Sequence, residues 1–324
     1  MTKTPVSTPK FAAVITSVLA AAAAAVLVSP GAHADAGVPG SGSAQAQRVD
    51  ATLADCTITG TDYGEYLSGT DGDDVICGLG GNDTLVSSPG NDTYIGGDGV
   101  DGIAFSYTNV PNGVKADLLT GIATGHGTDT LDGIENLTGT PYRDTLLGDN
   151  GTYSNPASPV TGNVLVGNGR GDVLNGRGGA YDVLYGGPGN DTLIPGPGDD
   201  DAYGDTGIDT VSFKFSTGPV TVDMTTASAT GQGTDYVRGE NVIGSPYADT
   251  ITGSTEGYGT NTHHGNTLWG QAGDDTLFGG PLGKDRLFGQ AGNDTLDGGT
   301  DTDLCDGGSG TDAVVNCETL VSIP

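Results

Sequence analysis

The sequence predicts an all-β fold in which short strands are laid down coil on coil as a solenoid. Three observations predict it. A nine-residue unit recurs in frame along most of the chain, each unit opens on clustered Gly, and each closes on a triplet with an apolar centre. Composition points the same way. Of 324 residues, 59 are Gly and 16 are Pro, hydrophobic residues make up only 35% and aromatics 6%. That is thin for a conventional globular core, and the Gly share is more than twice the usual one. Lys and Arg number 11 against 41 Asp and Glu, a formal net charge of −30. So acidic a chain with so little apolar material stays disordered unless something outside it supplies cohesion. A cation is the obvious source. Nucleic acid is nearly excluded as a partner, because no basic surface is available to neutralise phosphates.

The N-terminus comes first in chain order. Lys3 and Lys10 precede an apolar run from Phe11 to Val28, and small residues follow as far as Ala32-His33-Ala34. A basic start, a short apolar stretch and an A-x-A site read as a secretory signal peptide over 1–34, with cleavage after Ala34. An uncleaved anchor is the rival reading, since the apolar run is only just long enough to cross a bilayer. Cleavage removes two lysines and no acid, taking the charge from −30 to −32 and leaving no later segment apolar enough to span a membrane. Residues 35–54 then read as a flexible polar linker.

The repeat begins beyond the linker. Aligned in nines, the chain gives GTDGDDVIC (69–77), GLGGNDTLV (78–86), SSPGNDTYI (87–95) and GGDGVDGIA (96–104). The frame returns over 167–212 and again over 270–315, for example as GGPGNDTLI (186–194), GQAGNDTLD (289–297) and GGSGTDAVV (307–315). Two copies, 176–185 and 279–288, carry one extra residue. Clustered Gly permits a tight turn, and the closing triplet is a minimal strand whose central residue alone points inward. Ile76, Leu85, Tyr94, Ile103, Leu174, Leu184, Leu193, Leu277, Leu287 and Leu296 should therefore stack in a narrow core. Such strands are too short to stand alone. Turn, strand, turn, strand makes one coil of two nines, so each residue neighbours its counterpart two units later in a parallel ladder.

Coiling stacks the sixth-position acids. Asp74 comes beside Asp92, Asp83 beside Asp101, Asp172 beside Asp191, and Asp275 beside Asp294, at about the strand spacing of ~4.8 Å. Like charges so close cannot all stay ionised without a counterion. Carboxylates with turn carbonyls form an all-oxygen site, which suits Ca²⁺ better than Mg²⁺, whose octahedral demand is strict. Cys and His do not recur in the unit, which argues against zinc or copper.

These nines resemble the RTX, or haemolysin-type, calcium-binding nonapeptide, and the match covers most of residues 56–320. The resemblance implies a right-handed parallel β-roll, with Ca²⁺ held between one turn and the turn two repeats later. Carried over residue by residue, it assigns as metal ligands Asp74, Asp83, Asp92, Asp101, Asp172, Asp182, Asp191, Asp200, Asp209, Asp275, Asp285, Asp294, Asp303 and Asp312. Glu65 occupies the matching position in GTDYGEYLS, with Tyr63 in place of a Gly, while Asp144 in GTPYRDTLL and Asp249 in GSPYADTIT follow weaker turns. Many relatives leave the cell through a one-step channel using a C-terminal signal. An N-terminal signal is closer to short secreted calcium-binding proteins of actinobacterial type.

Larger organisation follows from what interrupts the frame. Roll blocks are expected at 55–103, 139–211 and 244–320, the last with a C-terminal cap, and inserted β segments at 104–138 and 212–243. The inserts resemble each other: each has an alternating apolar strand, then T-G-x-G-T-D, then a Glu-Asn pair (Glu135-Asn136, Glu240-Asn241). The step from Asp101 to Asp209 marks the length of a duplicated unit. The inserts read as wider coils of the same solenoid, or else as loops lying on it.

Four cysteines in a secreted chain suggest two disulfides, for which three connectivities exist. The local pairs Cys56–Cys77 and Cys305–Cys317 would staple the two ends. His263-His264 lacks neighbouring ligands in a metal spacing, and neither H-E-x-x-H nor G-x-S-x-G occurs, so protease and serine hydrolase readings lose support. The expectation is a secreted, extracellular, non-enzymatic Ca²⁺-binding protein with a structural or interaction role and an unassigned protein or carbohydrate partner. An adhesin using its exposed sheet faces, or the calcium module of a secreted enzyme or toxin, are the alternatives.

Overall fold

The computed structural model describes residues 55–105, 113–153, 160–179, 181–254 and 265–323, which lie in one compact unit, Gln45–Pro324. The signal peptide, the linker and His263-His264 lie outside the described residues. Within them are 29 strands and no helix, so none that is long and apolar enough to cross a membrane. The strands form two sheets, of 15 and 14 strands, and the fold is an all-β roll.

Successive triplets alternate between the sheets, because each glycine corner reverses the chain after three extended residues. Val75–Gly80 pairs in parallel with Thr93–Asp98 in the first sheet, Ile76 opposite Tyr94; Thr84–Val86 pairs with Gly102–Ala104 in the second, Leu85 opposite Ile103. The ladder thus advances by two nines per coil. It steps one position further where a ten-residue block intervenes, as for Leu174 opposite Leu193 and Leu268 opposite Leu287. All ten residues assigned to the core are fully buried, and they form one continuous cluster. Outward triplet positions are half-buried or exposed, as in Thr84–Val86 and Thr295–Asp297. Trp269 lies on the outer face of the first sheet, stacked on Phe288 with centroids 6.0 Å apart.

Some strands run longer than triplets. Val75–Gly80, Val183–Gly189 and Arg286–Ala291 continue round the corner, so that Leu79 pairs with Gly97 and Gln290 with Gly308. The corners are therefore laddered as well as the flat faces.

The inserts are neither plain wider coils nor loops on the surface. In the first, Lys115–Asp117, Ile122–Thr124 and Thr128–Asp132 form an antiparallel meander that enters the first sheet between Thr93–Asp98 and Thr145–Leu147. In the second, Thr221–Asp223, Ser228–Thr230 and Thr234–Arg238 enter the second sheet between Asp201–Gly207 and Thr250–Thr252. The equivalent meanders sit in opposite sheets because the chain switches sheet an odd number of times between Gly102–Ala104 and its counterpart Thr210–Ser212. Each insert thickens the core locally, the first with Phe105, Val114 and Ile134, the second with Phe213, Val220 and Met224.

Both disulfides are local: Cys56–Cys77 and Cys305–Cys317, each with Cα atoms 6.0 Å apart. Cys305 is fully buried in the core column and closes its C-terminal end.

Candidate metal centres

A residue that ends a glycine corner and precedes a strand has its N–H and side chain at the edge of the sheet. Stacking coils then sets these edge residues in two rows, one per sheet. Along each row a carboxylate oxygen accepts the backbone N–H of the edge residue one coil earlier. Asp74 N–H donates to Asp92 Oδ1 (2.9 Å), Asp83 to Asp101 (2.7 Å), Asp172 to Asp191 (2.7 Å), Asp191 to Asp209 (2.8 Å) and Asp182 to Asp200 (2.8 Å). The C-terminal block repeats this from Asp275 to Asp294 (2.9 Å), Asp294 to Asp312 (2.9 Å) and Asp285 to Asp303 (2.8 Å). All fourteen acids expected at the sixth position stand in these rows.

The rows also contain residues that the repeat frame did not assign. Asp92 N–H donates to Asp129 Oδ1 and Asp200 N–H to Asp235 Oδ1, both at 3.1 Å, from the T-G-x-G-T-D motifs. Asp101 N–H donates to Glu135 Oε2 and Asp209 N–H to Glu240 Oε2, both at 2.7 Å. Asp303 N–H meets Glu318 Oε2 at 2.8 Å. Asn163 and Asn266 stand in the rows as neutral members, each donating from Nδ2 to a backbone carbonyl, of Glu135 (2.8 Å) and Glu240 (2.6 Å). For Asp129, Glu135, Asp235 and Glu240 the signal that could have found them was the recurrence of the Glu-Asn pair and of G-T-D at equivalent places in both inserts.

One oxygen of each carboxylate beyond Asp74, whose Oδ1 takes the Thr57 hydroxyl, is thereby satisfied. The other is often not. The Oδ2 atoms of Asp83, Asp101, Asp172, Asp182, Asp191, Asp200, Asp235, Asp275, Asp285, Asp294, Asp303 and Asp312, with Glu240 Oε1, are buried without a hydrogen-bond partner. Native interiors rarely leave so many polar atoms unpartnered, and a bound ion or ordered water is the usual partner of such atoms. The same oxygens explain the glycine that opens most of these nines, although Pro195 opens the nine of Asp200. A Cβ at Gly167 or Gly279 would stand 2.5 Å from Oδ2 of Asp172 or Asp285. At these two corners the carboxylate folds back into space that the glycine leaves.

Electrostatics agree. Burial disfavours the charged form and pushes Asp172 and Asp200 up to about 8, Asp182, Asp191, Asp275 and Asp285 to about 7, and Asp101 and Asp209 to about 6. Neighbouring acids in the row push the same way, while the N–H bonds described above oppose them. A positive charge among these oxygens would relieve both causes. Among the described residues no three His, Cys, Asp or Glu side chains converge, so a cation here would draw one or two carboxylates and complete its shell with turn carbonyls. Carbonyls are at hand: those of Asn168 and Gln290 lie under Gly187 and Gly308 of the next coil, where no Cβ fits.

A family profile described as the RTX calcium-binding nonapeptide repeat matches residues 59–94, 68–103, 129–152, 181–211, 265–281 and 282–314. This is an RTX-repeat chain. The RTX repeats are calcium-binding modules, and the matched segments fall on all three roll blocks, the last of them ending at Val314. No curated protein matches the chain.

Proposed function

We propose that this is a secreted calcium-binding repeat protein whose roll folds as it binds extracellular Ca²⁺, and that the folded roll has a structural or interaction role rather than a catalytic one. The buried, unpartnered carboxylate oxygens carry the reading. An all-oxygen set of anionic and carbonyl donors, flexible in number, is the chemistry that Ca²⁺ favours. The residues that would hold it are Asp83, Asp101, Asp172, Asp182, Asp191, Asp200, Asp209, Asp275, Asp285, Asp294, Asp303 and Asp312 with corner carbonyls; Ca²⁺ would supply the positive charge that lets neighbouring carboxylates ionise together. The chain's own part is to place those oxygens at the coil spacing and to exclude water from them. Two disulfides and the signal-like N-terminus support an oxidising, extracellular setting. Low internal Ca²⁺ would keep the chain unfolded and exportable, and external Ca²⁺ would lock it, since a ligand bound only by the native state stabilises it by mass action.

Calcium titration of the mature chain, followed by far-UV circular dichroism and by heat, tests this. The expected result is a coil-like spectrum in EDTA that becomes β-rich as Ca²⁺ is added. A β-rich spectrum that chelation leaves unchanged would falsify metal-coupled folding.

A further inference from the structure

The row members are of two kinds, and the second residue of each nine separates them. At Asp83, Asp101, Asp172, Asp182, Asp191, Asp200, Asp275, Asp285, Asp294, Asp303 and Asp312, the second residue (Leu79, Gly97, Asn168, Arg177, Gly187, Gly196, Gln271, Gly280, Gln290, Gly299 and Gly308 in turn) is left-handed, with φ between 68° and 120°. Every one of these has its Oδ2 buried and unpartnered. Asp209 follows a left-handed Asp205 (φ 70°) and belongs with them by its corner. At five other positions the second residue is Ser or Thr with no left-handed φ, and the oxygen is already occupied. Thr140 donates to Asp144 Oδ2 from N–H (2.6 Å) and from Oγ1 (3.1 Å). Ser245 gives Asp249 its N–H at 2.5 Å on Oδ2 and its hydroxyl at 2.6 Å on Oδ1. Thr70 gives Asp74 Oδ2 both donors, at 2.6 and 2.7 Å. Thr61 does the same for Glu65, through N–H to Oε2 (2.7 Å) and hydroxyl to Oε1 (2.5 Å). For Asp92 the hydroxyls of Ser88 and Tyr94 share Oδ2, each at 2.9 Å.

We infer that Glu65, Asp74, Asp92, Asp144 and Asp249 take no calcium, because a Ser or Thr at the second position of the nine occupies the oxygen that a cation would occupy elsewhere. This rests on the calcium reading above and removes Asp74 and Asp92 from the ligand set that the repeat frame assigns. The physical reason lies in one residue. A β-branched Thr avoids left-handed backbone. In ordinary backbone its N–H turns towards the carboxylate, and its hydroxyl donates to the carboxylate while accepting an N–H two residues on, as Tyr142 and Tyr247 N–H do to Thr140 and Ser245. Three of these locked positions crowd the N-terminal coils. The other two, each followed in its block by a neutral Asn (Asn163, Asn266), flank the two meanders. The stretches 167–210 and 270–315 contain only the cation-dependent kind. The first meander with its thicker core is therefore a metal-independent nucleus, whereas the second carries the unpartnered Asp235 and Glu240 oxygens and orders, like the rolls, when calcium arrives.

The test counts bound Ca²⁺ on the full mature chain by flow dialysis with metal analysis, together with hydrogen exchange in EDTA. Asp191→Asn and Asp294→Asn should each lose about one to two ions. Asp144→Asn, Asp249→Asn and the near-isosteric Thr140→Val should keep the wild-type count, with Thr140→Val melting lower at saturating calcium. In EDTA, amides of 113–150 should exchange roughly tenfold or more slowly than those of 167–210 and 270–315. A lower count in Thr140→Val or Asp144→Asn overturns the inference and leaves the calcium reading standing, as does uniform exchange along the EDTA-treated chain. A wild-type chain that binds no calcium overturns both.

Discussion

Asp191 Oδ1 accepts the backbone N–H of Asp172, one coil back, at 2.7 Å, while its Oδ2 is buried without a partner against its own corner glycine, Gly186. One carboxylate thus holds the stack together and leaves half of its capacity open. Asp191 also donates its own N–H to Asp209, so it is the middle member of three. Asp191→Ala should weaken calcium sites on both sides of its coil, and calorimetric stoichiometry should fall accordingly. An unchanged stoichiometry would count against the turn assignment.

Glycine at the head of a cation-dependent nine is set by space. Gly279→Ala should push the Asp285 carboxylate off its corner, destabilising the calcium-loaded roll by about 1–3 kcal/mol. Thermal melting in excess Ca²⁺ reads the loss, and the calcium midpoint should rise with it. Equal stability of the variant and wild type would show that the carboxylate is not seated there.

Proton linkage gives a signed expectation. Burial raises Asp172, Asp200 and their neighbours to about 7–8 in the folded, cation-free chain, whereas the unfolded chain ionises near the ordinary carboxylate value. The folded chain then binds more protons, so its stability in chelator rises as pH falls through about 8 towards 4 and is lost as pH rises. Protons and Ca²⁺ compete for the same oxygens, so the calcium midpoint should move upward over that range. Dichroism at about pH 8, 6.5 and 5, with and without EDTA, checks both signs. Less β signal at pH 5 than at pH 8 in EDTA would contradict the burial account.

The C-terminal end depends on Cys305–Cys317, a link across 12 residues. Replacing both with Ser should cost about 2–4 kcal/mol and fray Leu304–Ser309 and Thr319–Val321 first. Hydrogen exchange of those two strands, compared with 268–297, gives the readout.

Much of the site was legible. Period nine with an apolar eighth residue placed Ile76 on Tyr94 and Leu85 on Ile103 without ambiguity, because two nines close one coil and strand side chains alternate with period two. The same arithmetic stacked the acids, and the extra residue in 176–185 and 279–288 changed only the spacing. The meanders were illegible. Their apolar alternation marks strands, but whether a strand folds back antiparallel in the same sheet is decided by contacts with coils before and after it.

Local spacing therefore determined the coil, its core column and the rows of sixth-position acids, since each follows from the geometry of nine consecutive positions. Tertiary structure alone decided that Glu135, Asp129, Glu240 and Asp235 join those rows, that equivalent inserts enter opposite sheets, and which carboxylate oxygens are left bare. Those outcomes depend on the donors that a neighbouring coil, or the second residue's backbone, brings within hydrogen-bond reach, and such proximity exists only once the coils have stacked.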